Sequence, residues 1–217
     1  MSCKKKALVA LIGSIFFVGA GQALANPSAQ AMADTCAGCH GTDGKSVGPA
    51  SPNLAGMSEG YFIDSMTAFK NLPKGAASAE DARTATIMNR ISKGYTDEQI
   101  EAMAVHFASL PVYKASVPHD AGKAKAGAAI YDEGCAKCHD EGGSLPDDDA
   151  GILAGQWTPY LEWQLQDILD GKRDPGKKMV KKLKKMHEKE GDAGIPVSYT
   201  HLTLPTTCTP CRSRWWG

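Results

Sequence analysis

Cys36-Ala37-Gly38-Cys39-His40 and, 99 positions later, Cys135-Ala136-Lys137-Cys138-His139 decide how this chain of 217 residues is read. A Cys-x-x-Cys-His run spaces two thiols to add to the two vinyl groups of one haem, and the adjoining imidazole reaches the iron from the same face. Cys36, Cys39, Cys135 and Cys138 are therefore candidate anchors of two covalently attached haem c groups. His40 and His139 are the candidate axial ligands.

The surroundings of the two runs match as well. Leu54-Ala55-Gly56 begins fourteen residues after His40, and Leu153-Ala154-Gly155 begins fourteen after His139. Tyr61 pairs with Tyr160 at the same offset, and Phe62, Met66 and Phe69 pair with Leu161, Leu165 and Ile168, with no gap. A period near one hundred residues is too long for a solenoid and suits a duplicated domain. The expected fold is all-α, with two small haem domains in tandem.

Lys4, Lys5 and Lys6 precede an apolar stretch from Ala7 to Ala20, and Ala23-Leu24-Ala25 has the small-residue pattern of a cleavage site. Residues 1–25 thus read as a secretory signal peptide, too short in its apolar part for a spanning helix of about 20 residues. Export to the periplasm, with no membrane span in the mature chain, is the expectation. From Val197 the chain becomes rich in Thr and Pro, and residues 197–217 read as a translated sequencing adapter, a non-native tail. There Cys208-Thr209-Pro210-Cys211 is followed by Arg212 where a haem motif needs His. Residues 26–196 hold 19 basic and 24 acidic residues, a net charge of −5, which does not suggest a nucleic-acid partner.

Within that span the expected order is a first domain at 26–110, a linker at 111–122 and a second domain at 123–196. One helix runs from near Pro27 into Cys36. Tyr61 to Leu72 and Tyr160 to Leu169 carry apolar residues at helical spacing. Thr96 with Gln99 makes a capping box for a closing helix whose stripe is Ile100, Met103, Ala104, Phe107 and Leu110, ended by Pro111. The equivalent closing helix of the second domain is expected near Ala193-Gly194-Ile195, where Pro196 and the tail intervene, so that domain is expected to be truncated and to fold poorly. Pro52, twelve residues after His40, resembles the proline of c-type cytochromes whose carbonyl accepts the ligand histidine's Nδ1–H, which implies that contact for His40. Gly151 stands at that offset after His139, and there the contact is expected from another residue's carbonyl, or lost.

A sixth, thioether ligand distinguishes an electron carrier from a haem open to substrates, and raises its potential over bis-His ligation. Met88 is the candidate in the first domain, whereas Met57, Met66 and Met103 sit at packing positions. In the second domain Met179 leads, because Met186 then aligns with Tyr95, a packing position; Met186 and His187 stay open as alternatives. This stretch is eight residues shorter than its counterpart. Nine basic residues lie between Lys172 and Lys189, around Met179. They read either as a solvated helix face or as a docking rim for an acidic partner.

Three stretches together resemble the dihaem cytochrome subunit of flavocytochrome c sulfide dehydrogenase: the run from Cys36 to Pro52, Ile87-Met88-Asn89-Arg90-Ile91-Ser92-Lys93-Gly94-Tyr95, and Ile152-Leu153-Ala154-Gly155-Gln156-Trp157-Thr158-Pro159-Tyr160. Lys177-Lys178-Met179, followed by Glu190 to Ile195, is also similar to that family. The resemblance spans roughly residues 28–195 and implies two cytochrome c-like domains in a periplasmic heterodimer. In it a partner flavoprotein oxidises sulfide at FAD, and this chain, no enzyme on its own, passes the electrons to a soluble acceptor cytochrome. The chain has no Gly-x-Gly-x-x-Gly after a strand, so FAD belongs to the partner. The alternative is a free-standing dihaem cytochrome c serving a terminal oxidase. A third class, a peroxidase or thiosulfate-oxidising haem enzyme, needs an open or unusual sixth position, against which Met88 and Met179 argue.

Overall fold

Ser28 opens the first helix by accepting from Ala31 N at 3.1 Å, and helix follows helix from there. The computed structural model describes residues 27–72, 83–115, 120–146 and 149–202. The expected signal segment, Cys208, Cys211, His119 and the tail beyond Leu202 lie outside the described residues. The described residues form helices, turns and one isolated antiparallel bridge between Arg83 and Arg173, with no strand. The all-α expectation holds.

In the first half, α1 (Ala29–Asp34), α2 (Ala37–His40), α3 (Glu59–Asn71), α4 (Met88–Ile91) and α5 (Asp97–Ala108) follow one another. The capping box forms as read: Thr96 N donates to Gln99 Oε1 at 3.0 Å, and Gln99 N donates to Thr96 Oγ1 at 3.3 Å. That cap sets the phase of α5, so Ile100, Met103, Ala104 and Phe107 fall on one face and are buried. They pack with Met32 and Ala33 of α1, Phe62 and Met66 of α3, and Leu54 and Met57 of the intervening loop. The Phe62 and Phe107 rings lie 5.4 Å apart.

The second half repeats the plan with α6 (Ala121–Gly134), α7 (Asp140–Gly143), α8 (Thr158–Leu169) and α9 (Lys177–Leu202). Two boundaries differ from the sequence reading. Helix α6 begins inside the expected linker because Asp120 Oδ1 accepts from Lys123 N at 2.9 Å and caps it. The helix that packs on α6 is α9, which starts at Lys177 rather than near Ala193 and is broken at Gly191 (φ 69°) before continuing to Leu202. Val180, Leu183 and Met186, at helical spacing, turn to the core formed by Tyr131, Leu161 and Ile168. The lysine density between them hid this stripe: its apolar members are few, but each is on the inner face.

The linker is tied down. Ala115 N donates to Gly155 O at 2.9 Å, and Gly56 N donates to Phe107 O at 2.9 Å. Both glycines of the repeated Leu-Ala-Gly run have positive φ, 76° at Gly56 and 67° at Gly155. A Cβ at Gly56 would come within 2.7 Å of Val112 Cα, and one at Gly155 within 2.3 Å of Lys114 Cα. The repeat is therefore kept short of side chains where the linker backbone passes over each domain.

Leu183 is 2% exposed, so Leu183→Ala is expected to destabilise the second domain by about 2–5 kcal/mol, whereas Lys184→Ala on the outer face shifts it by less than about 0.5 kcal/mol. Chemical denaturation of the haem-loaded protein checks this, and equal effects from the two substitutions would remove α9 from the core.

Candidate haem-binding sites

Each motif folds as one tight turn. Cys39 N and His40 N donate to Cys36 O at 3.2 and 2.9 Å, and Cys138 N and His139 N donate to Cys135 O at 3.1 and 3.0 Å. The turn sets Cys36 and Cys135 half-buried against the apolar clusters and leaves Cys39 and Cys138 exposed. The following loops close identically, with Leu54 N on Gly44 O and Leu153 N on Gly143 O, both at 2.8 Å. None of the four thiols is in a disulfide. Burial raises the Cys36 thiol pKa, and it lifts that of Cys135 to about 11 against the nearby Lys182 charge.

His40 Nδ1 lies 2.8 Å from Pro52 O, and His139 Nδ1 lies 3.1 Å from Gly151 O. A carbonyl can only accept, so Nδ1 carries the proton and the Nε2 lone pair is free for a metal. The Gly151 contact corrects the sequence reading, which sought another residue there: the acceptor is a main-chain oxygen, and no proline ring is needed. Burial lowers both imidazole pKa values despite these hydrogen bonds, which keeps the rings in the neutral, ligating form.

Met88 is half-buried against the first cluster, the one that also holds Cys36. Among the second-domain candidates, Met186 packs on the second cluster beside Cys135, and its Sδ stands 2.7 Å from where a Cβ on Gly134 would be. Met179 lies on the first turn of α9, half-buried and outside that cluster. His187 Nε2 faces Asp192 Oδ1 at 3.4 Å. Arg83 and Arg173 meet in the antiparallel bridge; Met88 follows Arg83 by five residues, and Met179 follows Arg173 by six. With Met88 set against Met179, Met186 matches Tyr95, and both side chains pack on their own domain's core.

Contacts between the domains are reciprocal, which the sequence reading missed. Arg83 Nη2 donates to Tyr160 Oη, and Arg173 Nη2 donates to Tyr61 Oη, both at 2.8 Å. Gln164 Oε1 accepts from both arginines, and the Arg83 guanidinium stacks 4.7 Å from the Phe69 ring centroid. Asn53 N donates to Gln156 Oε1 at 2.9 Å, Gln156 Nε2 to Asn53 O at 3.3 Å, and Asn53 Nδ2 to Gly155 O at 3.1 Å. Arg83, Asn53 and Gln156 are buried, so these polar groups are hydrogen-bonded as burial requires. The equal offset of Tyr61 and Tyr160 was the available signal. Their arginines were obscured because the two spacings differ.

The donor set fits haem attached through thioethers. Paired thiols and a neutral imidazole with a free Nε2 stand beside an apolar cluster in each half, and Ser92 Oγ and Trp157 Nε1 are enclosed polar atoms without a protein partner among the described residues. Fold and sites together define a c-type cytochrome. The sequence profile of the family described as Cytochrome c matches residues 25–111. Cytochrome c4 of Azotobacter vinelandii is 31% identical over 179 residues, which cover 77% of this chain and 84% of the relative. The cytochrome subunit of sulfide dehydrogenase of Chlorobaculum tepidum is 41% identical over 76 residues, 35% of this chain and 60% of that one. The crystal structure of reduced recombinant cytochrome c4 from Pseudomonas stutzeri superposes with a TM-score of 0.68 at 26% identity, covering 81% of this chain and 95% of that one. The chain belongs to the dihaem cytochrome c family that includes cytochrome c4. It carries two covalently attached haem c groups and serves electron transfer, not catalysis by itself.

Burial of the Tyr61 ring opposes ionisation, but the Arg173 and Arg83 charges outweigh it and bring the hydroxyl down to about 8 from 10.0. A lowered folded-state value favours the anion, so this contribution to stability is fully present above pH 10, fades as the pH falls through about 8, and is absent below. Stability of the wild type relative to Tyr61→Phe is therefore expected to rise between pH 8 and 10. Denaturation at a series of pH values checks this, and a flat difference would show that the arginines do not act on Tyr61.

Proposed function

We propose that this chain is the exported electron-transfer subunit of a sulfide-oxidising flavocytochrome: it takes electrons from the FAD of a partner flavoprotein and delivers them to a soluble acceptor cytochrome. The observation that carries the reading is the Ile152–Tyr160 run. In this fold its Gln156 and Tyr160 hold the two domains together, and its resemblance to the sulfide dehydrogenase cytochrome subunit agrees with the 41% partial match to such a subunit. Among the described residues no helix is long and apolar enough to cross a membrane, which suits a carrier working in the periplasm after residues 1–25 are removed.

Haem bound in each half supplies reversible one-electron chemistry. The chain does the rest. Cys36, Cys39, Cys135 and Cys138 would tether the groups, and the Pro52 and Gly151 carbonyls hold His40 and His139 by Nδ1, which leaves Nε2 free to bind the iron. Met88 and Met179 would supply a second ligand to each iron, with Met186 and His187 as the second-domain alternatives. The buried apolar side chains exclude water, and the Arg–Tyr and Asn–Gln pairs fix one haem domain against the other. A second reading, a free-standing carrier without a flavoprotein, draws on the longer match to cytochrome c4.

Purification from the native source tests the two. An FAD-containing subunit in stoichiometric complex supports the first, and a lone red monomer replaces it with the second. Ligation is checked separately: Met88→Ala and Met179→Ala should each abolish the near-infrared methionine-to-iron band of one haem, and Met88→His should lower one potential. Retention of that band in Met179→Ala and its loss in Met186→Ala would move the ligand to Met186.

A further inference from the structure

We infer that the exposed face of α9 is the docking surface for an acidic, soluble electron-carrier protein, which exchanges electrons with the second haem. The inference rests on the electron-transfer reading above and names the chemistry of its acceptor. Between residues 172 and 189 nine basic residues face two acidic ones, Asp174 and Glu188, a net of +7; the remainder of 26–196 holds ten basic and 22 acidic residues, a net of −12. The chain is therefore strongly dipolar, with its positive pole concentrated on one helix.

The fold shows which way that pole points. Val180, Leu183 and Met186 turn inward, whereas Lys177, Lys178, Lys181, Lys182, Lys184 and Lys185 are exposed. Among the described residues no ion pair or side-chain hydrogen bond engages these six lysines, although the Lys182 and Lys185 charges act on Glu133. Lys189 is taken by Glu133 at 2.5 Å, and Lys172 by Asp170 at 2.7 Å. Six like charges left unneutralised on one helix repel one another, and an acidic partner relieves that repulsion. The Lys182 charge also acts on the Cys135 sulfur, so the basic face borders a haem attachment point. The surroundings of Cys36 are different: Asp34 and Asp43 are near in sequence, and Lys45 is engaged by Asp43 at 3.6 Å. A partner steered by charge thus arrives at the second haem and not the first.

An anionic membrane is the competing occupant for such a helix. A helix that lies in a lipid surface needs an apolar face to insert. Val180, Leu183 and Met186 of α9 are packed in its own domain, and the exposed large hydrophobics among the described residues, Val47, Ile87, Ile91, Val105 and Trp163, all lie elsewhere. Protein docking is the better fit.

The test uses the haem-loaded full chain, reduced, with an acidic blue-copper protein as oxidant in stopped flow. A neutral small-molecule mediator serves as a control for haem competence. Lys181→Glu/Lys184→Glu/Lys185→Glu, and the milder Lys→Gln set at the same positions, are compared with Lys123→Glu/Lys125→Glu on α6. The expected result is a rate loss of at least about tenfold for the Glu set, a smaller loss for the Gln set, and little change for the α6 pair. The wild-type rate should fall as the Debye length shrinks from about 30 Å at 0.01 M salt to about 8 Å at 0.15 M, and the Glu set should lose that dependence. Equal losses from the α9 and α6 sets, or none, would overturn the docking surface while normal mediator kinetics leave the carrier reading intact. Haems that no mediator can cycle would overturn both. Binding to phosphatidylglycerol vesicles that the α9 substitutions abolish, with oxidant rates unchanged, would replace the protein partner with a membrane.

Discussion

Each half of this protein is organised around an imidazole held by one nitrogen, with the other left free as an iron ligand would need. The hydrogen bond from His40 Nδ1 to Pro52 O, and its counterpart from His139 to Gly151 O, fixes ring tautomer and direction at once. Because the acceptor is main chain, the requirement falls on the path of the loop. That path is pinned by Gly44 and Gly143, whose carbonyls receive Leu54 N and Leu153 N. The loop then delivers the Leu-Ala-Gly run, whose glycines admit the linker. One ligand constraint thus propagates through the loop to the inter-domain path.

The two domains meet through polar groups, not a shared apolar core. Two arginines, two tyrosines and three amide side chains satisfy one another across a pseudo-symmetric junction. Buried polar groups specify geometry strictly, since a shifted arrangement leaves them unpaired. For an electron carrier this is the useful property: distance between haem domains governs transfer, and a directional network holds distance better than a slippery apolar face. The cost of enclosing the Arg83 cation is offset by three hydrogen-bond acceptors and the Phe69 ring.

The helices of the first domain were legible because their signals are local. Thr96 and Gln99 sit three residues apart and act on each other, and the α5 stripe follows from that phase. The start of α6 was misplaced by two residues because Asp120 was not weighed as a cap. The larger discrepancy, α9, has a different cause. Lysine stems and solvent-facing ammonium groups dominate its composition, so three apolar residues do not show as a stripe until a partner surface exists to receive them. Similarly, a glycine at 151 seemed to remove a contact because the residue type was read where only the backbone oxygen matters.

What the chain determined unaided is the number and chemistry of its prosthetic groups and the duplication that carries them. Thioether attachment demands two thiols and an imidazole within five consecutive residues, so the requirement is written in contiguous sequence. Tertiary structure alone decided which oxygen orients His139, which helix closes the second domain, which arginine meets which tyrosine, and which lysines are left facing solvent. Those outcomes join residues up to 112 positions apart, and they depend on how apolar faces pack and which polar groups are thereby enclosed, a condition no local window of sequence contains.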